Sequence, residues 1–308
     1  MNNKKSKYNN YIDNPSLIFL WVLMKIGWIL SDKLYLKCLY YLSMGKILNL
    51  DNPITFCEKI QWLKLYNRKH EFTNLVDKLA VKDYVSSLIG NEYVIPTIGI
   101  FENPNDIDFE NLPDQFILKT THGGGSGGIV ICRDKNKFDQ KKALEKLQKS
   151  LRLDIYKYYR EWPYQNVHRR IIAEPFLSDG KNDDLVDYKF FCFGGKAKYC
   201  QVIMDRSTEE TIDFFDREWN HQEFIGLSPT VHHSFKKHDK PLHYNDMLKI
   251  ADELASSVRA PFVRIDLYNI LGKIYFGEIT FFPASGIGRF KPDYWDEILG
   301  DLININGK

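Results

Sequence analysis

The sequence has few cysteines, little net charge and no repeated segment, and each absence argues against a class of protein. Its five cysteines are odd in number, widely separated and set in apolar runs, so reduced core residues are favoured over a disulfide framework or a zinc site. A formal charge of +2 gives no basic footprint for nucleic acid. The lack of an internal repeat argues against a solenoid. We therefore expect a globular, cytoplasmic protein that does not bind nucleic acid.

An apolar stretch covers residues 16–30, after Lys4, Lys5 and Lys7. It resembles a signal peptide, but no small-residue cleavage site follows it and Lys25 interrupts it. A bilayer span would need about 20 apolar residues. Two interpretations stay open: a helix packed on the domain, or an interfacial helix whose Trp, Leu and Lys residues contact the inner face of the membrane.

Hydrophobic periodicity and turn residues predict an α+β fold with antiparallel sheets. A capping box at residues 55–58 opens a helix in a mostly helical first part, and the apolar residues of 75–85 indicate a second helix ending near Gly90. Short β-branched runs follow, and two of them are joined by Gly-Gly. The remaining predicted elements are strands at 115–119, 128–132, 170–174, 187–193 and 196–204 and helices at 143–151 and 244–258.

A glycine-rich loop, HGGGSGG at residues 122–128, lies between two predicted strands, with Lys119 just before it. Glycine permits positive φ and lets backbone N–H groups approach an anion closely. The Walker pattern is missing and a strand follows, so this is not a P-loop; a surface hairpin is the alternative. Gly124, Ser126 and Gly128 also spell G-x-S-x-G, but a nucleophile elbow leads into a helix, which argues against a serine hydrolase.

The last predicted hairpin brings acidic groups together. Arg264 and Asp266 lie on its first strand, and Glu278 and Thr280 on its second. If Asp266 pairs with Phe276, strand alternation puts all four on one face, with Glu278 diagonal to Asp266. Two such carboxylates repel unless a cation lies between them, and hard oxygen ligands suit Mg²⁺. The alternative is a solvent-exposed edge strand with ordinary salt bridges.

Two further patterns give weaker predictions. His232, His233, His238 and His243 lie in a lysine-bearing stretch without metal-site spacing, so solvent-exposed loop histidines are favoured over a metal site. Residues 106–108 spell the D-x-D of some glycosyltransferases, but the surrounding acidic loop favours a simple connection.

Several motifs occur in the order found in ATP-grasp enzymes, from Asp77-Lys78 and the strand ending at Lys119 to the final R-I-D and G-E-I-T hairpin. More closely, TFCEKIQWLKLY, LVDKLAVKDYV and GEITFFPASG resemble the TupA-like ATP-grasp family found in bacterial surface-polysaccharide gene clusters, over residues 31–300. The resemblance implies an ATP-grasp fold, in which two α+β subdomains clamp ATP, with a shortened helical N-terminal region. The expected segments are an N-terminal helical, membrane-proximal part (1–50), a helical region (51–112), a lid subdomain (113–174) and a catalytic subdomain (175–308).

The resemblance also implies roles for single residues. Lys78 and Lys119 would contact ATP phosphates under the glycine loop, and Glu174 with the following backbone would hold adenine. The full implied nucleotide set is Lys78, Lys119, Gly123, Gly124, Gly125, Ser126, Gly127, Gly128, Glu174, Pro175, Phe176 and Leu177. Lys189 would meet the transferred phosphate, and Arg264 would neutralise the reacting centre.

For the metal, the resemblance implies Asp266 and Glu278 as magnesium ligands. The third metal position, often Asn in ATP-grasp enzymes at large, is Thr280 here. The front of the chain is too short for the usual Rossmann-like substrate domain, so the acceptor would be held by a membrane-proximal surface or by Arg206, Asp216 and Trp219.

The implied activity is that of an ATP- and Mg²⁺-dependent carboxylate–amine ligase. ATP would phosphorylate a carboxylate, and an amine would attack the acyl phosphate to give an amide. The expected partners are a carboxylate-bearing glycan or sugar precursor, such as a uronic acid of a surface polysaccharide, and an amine co-substrate. The alternatives are a glycosyltransferase of polysaccharide assembly, a sugar kinase on the same fold, and a nucleotide-binding scaffold without turnover.

Overall fold

The structure is a computed structural model that describes residues 15–123, 125–180, 184–206, 208–227, 232–234 and 238–305. The helices are α1 (Pro15–Ile26), α2 (Asp32–Met44), α3 (Phe56–Tyr66), α4 (Glu71–Val76), α5 (Ala80–Ile89), α6 (Gln140–Leu151), α7 (Ile155–Tyr159), α8 (Tyr244–Val258) and α9 (Trp295–Asp301). The strands are β1 (Gly99–Phe101), β2 (Phe116–Thr120), β3 (Ile129–Cys132), β4 (Ile171–Pro175), β5 (Asp187–Phe193), β6 (Lys196–Met204), β7 (Thr211–Asp216), β8 (His221–Gln222), β9 (Ile225–Gly226), β10 (Phe262–Ile270), β11 (Lys273–Thr280) and β12 (Phe290–Lys291).

The smaller sheet is antiparallel and has the strand order β1-β4-β2-β3. Its core is built from alternate residues of β2, of which Phe116 and Leu118 are fully buried. Helix α6 covers this face and buries Ala143 and Leu147, as its apolar stripe predicts. The glycine-rich loop connects β2 to β3, so it projects from one end of this sheet.

The larger sheet is also antiparallel, in the order β11-β10-β5-β6-β7-β8. Helix α8 packs on the face that carries Phe190 and Ile265, where it buries Met247. Burying one such side chain contributes roughly 1.5–3 kcal/mol. Because successive strand residues point to opposite faces, Lys189 and Asp266 lie on the other face. This second face is charged only at one end, because at its other end Phe191, Phe193 and Phe262 are buried against Phe56 of α3.

The N-terminal helices pack against the end of the larger sheet. The Thr55 hydroxyl accepts a hydrogen bond from the Glu58 N–H at 3.2 Å, and the Glu58 carboxylate accepts one from the Thr55 N–H, which confirms the predicted capping box. Helix α1 buries Leu23 but leaves Phe19 and Trp21 exposed, and Trp28 in the turn that follows the helix is exposed as well. Within the described ranges, no helix combines the length and hydrophobicity needed to cross a membrane.

The prediction of a single helix that begins near residue 75 and ends near Gly90 is wrong in one respect, because the chain forms two helices there. Helix α4 ends at Val76 and α5 begins at Ala80. The break occurs because the Asp77 carboxylate accepts hydrogen bonds from the N–H groups of Leu79, at 2.8 Å, and Ala80, at 3.3 Å. The break exposes Lys78 between the two helices.

The register predicted for the last hairpin, with Asp266 opposite Phe276, is also wrong, by two residues at Asp266 and by one residue on the turn side of a bulge. Asp266 pairs with Glu278 and Leu267 pairs with Phe276, so Gly277 is the extra residue of a β-bulge. A Cβ on Gly277 would lie 3.0 Å from the Asp266 carbonyl oxygen, which explains why glycine occupies this position. The α+β class and the antiparallel pairing are confirmed.

Candidate active site

Three charged side chains lie side by side across β11, β10 and β5. Glu278 pairs with Asp266, and Asp266 pairs with Lys189, so all three point to the face that α8 does not cover. Asp266 and Lys189 are almost fully buried and in direct contact. Buried charges are tolerated only when they are paired, so this row is held together electrostatically.

Arg264 lies two residues before Asp266 on β10 and contacts the carboxylates of both Asp266 and Glu278. Its Nε and Nη2 donate to the two Asp266 carboxylate oxygens at 2.6 and 2.7 Å, a bidentate arrangement. Nη2 also donates to Glu278 Oε1 at 3.3 Å and to the Thr280 hydroxyl at 3.0 Å. The Thr280 hydroxyl in turn donates to Glu278 Oε1 at 3.3 Å, so it contacts both groups.

Lys78 reaches this row from the break between α4 and α5. Its backbone N–H donates to the Thr121 carbonyl oxygen at 2.9 Å, and its Nζ donates to Glu278 Oε2 at 2.8 Å. Burial raises the pKa of Glu278, but Lys78, Lys189 and Arg264 outweigh it and hold the pKa well below its usual range. Glu278 is therefore ionised at neutral pH.

A second cluster surrounds Glu174, which lies on β4 in the smaller sheet. Its two oxygens contact Lys82 Nζ at 2.5 Å and Lys119 Nζ at 2.6 Å. Burial raises the pKa of Glu174, but the two lysines bring it below its ordinary value. Burial lowers the pKa of Lys82, which also donates to the Ile95 carbonyl and the Thr97 hydroxyl at 2.8 Å. A buried carboxylate thus fixes both lysines.

Three adjoining cavities form a line past these groups. The first, of about 150 Å³, is lined by Lys119, Glu174 and residues 175–177. The second, of about 80 Å³, shares Lys119 and Glu174 with the first. The third, of about 820 Å³, shares Lys189 and Glu278 with the second. The shared walls make one path between the two sheets and along the charged face of the larger one.

Comparison with known proteins identifies the family of the chain. The TupA-like ATP-grasp family model matches residues 58–304. The chain belongs to the TupA-like ATP-grasp family. The match confirms three expectations: the family, the ATP-grasp fold, and the assignment of the chain to the ATP-grasp enzymes.

No curated protein matches this TupA-like chain. Among solved structures, D-alanine–D-alanine ligase from Helicobacter pylori is 15% identical, with a TM-score of 0.43, over 80% of this chain and 68% of that one. The Bacillus anthracis D-alanine–D-alanine ligase is 14% identical, with a TM-score of 0.43, over 74% and 66%. Biotin carboxylase from Campylobacter jejuni is 12% identical, with a TM-score of 0.43, over 74% and 45%. The family assignment rests on the family model, because these similarities are low.

Most of the residues expected from the TupA-like resemblance converge. The path of cavities is lined by Lys78, Lys119, Glu174, Pro175, Phe176, Leu177, Lys189, Arg206, Arg264, Asp266, Glu278 and Thr280. Arg206 lines all three cavities and its guanidinium lies 2.8 Å from the Asp187 carboxylate. Lys82 was not predicted; it lies on α5, after the break that holds Lys78, and no local signal in the sequence singles it out.

The glycine loop of this family member forms a short 3₁₀ turn over Gly125–Gly128. Gly124, and the side chain of Ser126, lie outside the described residues. Gly123 is buried, and a Cβ on Gly128 would overlap the Thr120 hydroxyl, so these two glycines are needed for packing. Gly127, in contrast, is exposed and faces open space.

Asp216 and Trp219, expected at the acceptor site, are not brought to the cavities. The Asp216 carboxylate accepts hydrogen bonds from Asn220 and Glu218 N–H groups and so closes a turn. Trp219 stacks on Phe215, with ring centroids 4.1 Å apart. Both residues belong to the edge of the larger sheet near α8.

Proposed function

We propose that this chain is an ATP- and Mg²⁺-dependent ligase that joins a carboxylate to an amine through an acyl phosphate. The observation that carries the proposal is the continuous path of three cavities, with Lys119 and Glu174 at its first junction and Lys189 and Glu278 at its second. A nucleotide entering at one end and an acceptor at the other would meet at the second junction.

The first cavity suits adenine, because its walls are mainly apolar and a strand end supplies backbone groups. Ile117 and Ile131 line it beside residues 175–177. Such apolar clefts with a few polar groups are the usual form of small-molecule sites. The triphosphate would then extend toward Lys78 and Lys119, with the loop around Gly125–Gly128 above it.

The donor set at the second cavity fits magnesium. Asp266 and Glu278 are directly opposite each other on one sheet face, and both present carboxylate oxygens. Hard oxygen donors of this kind are the ones that Mg²⁺ prefers when it also binds phosphate. A bound magnesium ion would neutralise phosphate charge. Thr280 contacts Arg264 and Glu278, so we assign it to orienting them as well as to the third metal position.

The proposed reaction needs no nucleophile from the protein. A carboxylate oxygen of the acceptor attacks the γ-phosphorus of ATP, and ADP leaves. The amine then attacks the acyl carbon, phosphate leaves and the amine loses a proton. Lys189 and Arg264 are fixed next to this point and would stabilise the charge that develops on the phosphoryl oxygens.

The third cavity suggests a large acceptor. Its volume of about 820 Å³ lies near the upper end of the roughly 300–1,000 Å³ typical of small-molecule sites. Tyr158, Tyr159 and Tyr164 line it opposite the charged row, so it offers both aromatic surface and positive charge. This fits a carboxylate-bearing glycan or sugar precursor, and the family resemblance favours a uronic acid of a surface polysaccharide.

Met24 of α1 also lines the third cavity. The same helix exposes apolar side chains, so we extend the proposal to a peripheral membrane contact through residues 16–30 that brings a membrane-bound acceptor to the cavity.

A substrate screen tests the proposal. The full chain is incubated with ATP, Mg²⁺ and a panel of uronic acids and acidic oligosaccharides, with and without amines, and ADP release is followed. Hydroxylamine is added to trap an acyl phosphate as a hydroxamate. A ligase gives both ADP and hydroxamate; ADP without hydroxamate would indicate a sugar kinase. Transfer from a sugar nucleotide without ADP would indicate a glycosyltransferase, and thermal stabilisation by ATP without ADP a scaffold.

A further inference from the structure

Asp213 lies in the middle of β7 with a side chain that is only 2% exposed. It pairs with Val202, whereas its neighbour Phe214 pairs with Gln201, which in turn pairs with Lys189. Because paired strand residues share a face and neighbours alternate, Asp213 points away from the face that carries the ATP site. Its surroundings are therefore independent of the active site.

Three histidines converge on this carboxylate. His221 Nε2 and His233 Nδ1 each lie 2.8 Å from Asp213 Oδ1, and His238 Nε2 lies 2.8 Å from Asp213 Oδ2. The nearest ligand atoms of Asp213, His221 and His233 all lie within 4.8 Å of one another. The expectation of solvent-exposed loop histidines is therefore wrong for His238, whose side chain is 10% exposed, whereas His233 is 37% exposed. It holds for His243, which is 62% exposed.

We propose that Asp213, His221, His233 and His238 bind a divalent transition-metal ion of the zinc type. One carboxylate oxygen and three imidazole nitrogens form a donor set that zinc accepts in tetrahedral sites. Ligand atoms at about 2.0–2.2 Å from a tetrahedral zinc ion lie roughly 3.3 Å apart. Asp213, His221 and His233 already hold their ligand atoms within 4.8 Å of one another, and His238, which contacts the other Asp213 oxygen, would have to turn toward them to complete the shell. Imidazole nitrogen selects zinc-like ions over Mg²⁺, which prefers oxygen, so this site and the ATP site would take different metals.

The four ligands would fill a tetrahedral shell, so the site is structural rather than catalytic. It joins β7 and β8 to His233 and His238, at the open edge of the larger sheet. Neighbouring residues hydrogen-bond to the ligand residues, as is expected of the outer shell of a metal site. Trp219 Nε1 donates to the His238 carbonyl oxygen at 3.2 Å, and the Ser234 N–H donates to Asp213 Oδ2 at 3.1 Å.

The test uses the full chain without a histidine tag. Chelator-treated protein is titrated with zinc, dialysed and analysed for metal, and its melting temperature is measured before and after. We expect about one zinc per chain and a higher melting temperature, because a ligand bound only by the folded state stabilises it. Cobalt in place of zinc should give the intense visible absorption of a tetrahedral site.

The variant is the double substitution His221→Gln and His233→Gln. Both side chains are partly exposed, at 47% and 37%, so the fold should tolerate the change. Loss of an outer-shell partner alone weakens metal binding about 10- to 100-fold, so loss of two ligands should weaken zinc binding by at least about 100-fold. The matched control is His243→Asn, in the same stretch but outside the cluster, which should bind zinc like the wild type.

Three outcomes would overturn the proposal. In the first, the wild type takes up no zinc or shows no cobalt spectrum, so that the cluster is only a hydrogen-bonded group of one aspartate and three histidines. In the second, the double variant binds zinc as tightly as the wild type. In the third, the Glu278→Gln variant loses the zinc, which would mean that the ion binds at the ATP site.

Discussion

Lys78 and Glu278 are 200 positions apart in the sequence, yet Lys78 Nζ lies 2.8 Å from Glu278 Oε2. This ion pair joins the helical front of the chain to the last hairpin, inside the second cavity. The positive charge of Lys78 helps to hold the pKa of Glu278 well below its usual range, so Glu278 is ionised. Under the proposed function, Lys78 would contact phosphate and Glu278 would bind the metal.

Glu278→Gln should reduce kcat/KM for ATP-dependent turnover by at least about 10²- to 10³-fold, because loss of one preorganised charge contact costs about 3 kcal/mol. The amide keeps the size of the side chain but removes its charge, and the apparent KM for Mg²⁺ should rise. ADP release at varied magnesium concentration measures both effects. Glu253→Gln, an exposed glutamate of α8, is the control and should behave like the wild type. Unchanged turnover in Glu278→Gln would mean that the site is misassigned.

Lys119→Met should lower turnover by about 10²- to 10³-fold through loss of a phosphate contact. The fold should survive, because Glu174 keeps Lys82 as a partner at 2.5 Å. Kinetics with ATP and a circular dichroism melt separate the two effects. Lys137→Met, whose side chain is 86% exposed in the same part of the chain, is the matched control. Equal losses in both variants would contradict a specific role for Lys119.

The sequence pattern predicted the α+β class, the antiparallel strands and the helix at 244–258, because alternation and helical periodicity are local properties. It also put Asp266 and Glu278 on one face. It did not locate the bulge at Gly277, since period-two alternation does not tell which residue of a hairpin is the extra one. The result is that Glu278 lies directly opposite Asp266 rather than diagonal to it.

Other parts of the sites depend on contacts between distant segments, which local pattern does not encode. Lys82 on α5 forms its ion pair with Glu174 on β4, which is 92 positions further along the chain. The cluster at Asp213 needs β7, β8 and a later segment to meet, so histidine spacing alone gave no sign of it. Contacts of helices and loops with the sheets bring these groups together, and such contacts are properties of the folded chain.

A buried lysine near the third cavity gives a pH prediction. Burial lowers the pKa of Lys64 to about 8, although Glu161 opposes the shift. Lys64 Nζ donates to the Ser285 and Tyr159 carbonyl oxygens at 2.8 and 2.9 Å. Between about pH 8 and the ordinary lysine value near 10.4, the unfolded state binds more protons than the folded state, so this residue makes stability increase with pH.

Urea unfolding at several pH values in this window, for the wild type and Lys64→Met, measures the effect. The wild-type free energy of unfolding should rise relative to that of Lys64→Met as pH increases from 8 to about 10. Lys59→Met, on the same helix, is the control for loss of a lysine side chain. A constant difference between wild type and Lys64→Met would show that Lys64 titrates at the same pH in both states.

The exposed aromatic residues of α1 and its C-terminal turn should bind a lipid surface. Trp28, Phe19 and Trp21 are 72%, 63% and 55% exposed, and Lys25 Nζ lies 5.8 Å from the Trp21 ring centre, close enough to meet lipid phosphates beside it. Flotation with vesicles that contain anionic lipid measures binding of the full chain. The double substitution Trp21→Ser and Trp28→Ser removes two rings.

If each ring contributes about 1.5 kcal/mol, the low end for burying a Phe-sized side chain, the double variant should bind more than about 100-fold more weakly. Leu242→Ser removes an equally exposed apolar residue, at 65%, outside the helix and should float like the wild type. ATP turnover on a soluble acceptor should be unchanged in the double variant, because the rings lie outside the three cavities as described. Flotation of the double variant at the wild-type level would mean that α1 packs against protein, and the third cavity would then take its acceptor from solution.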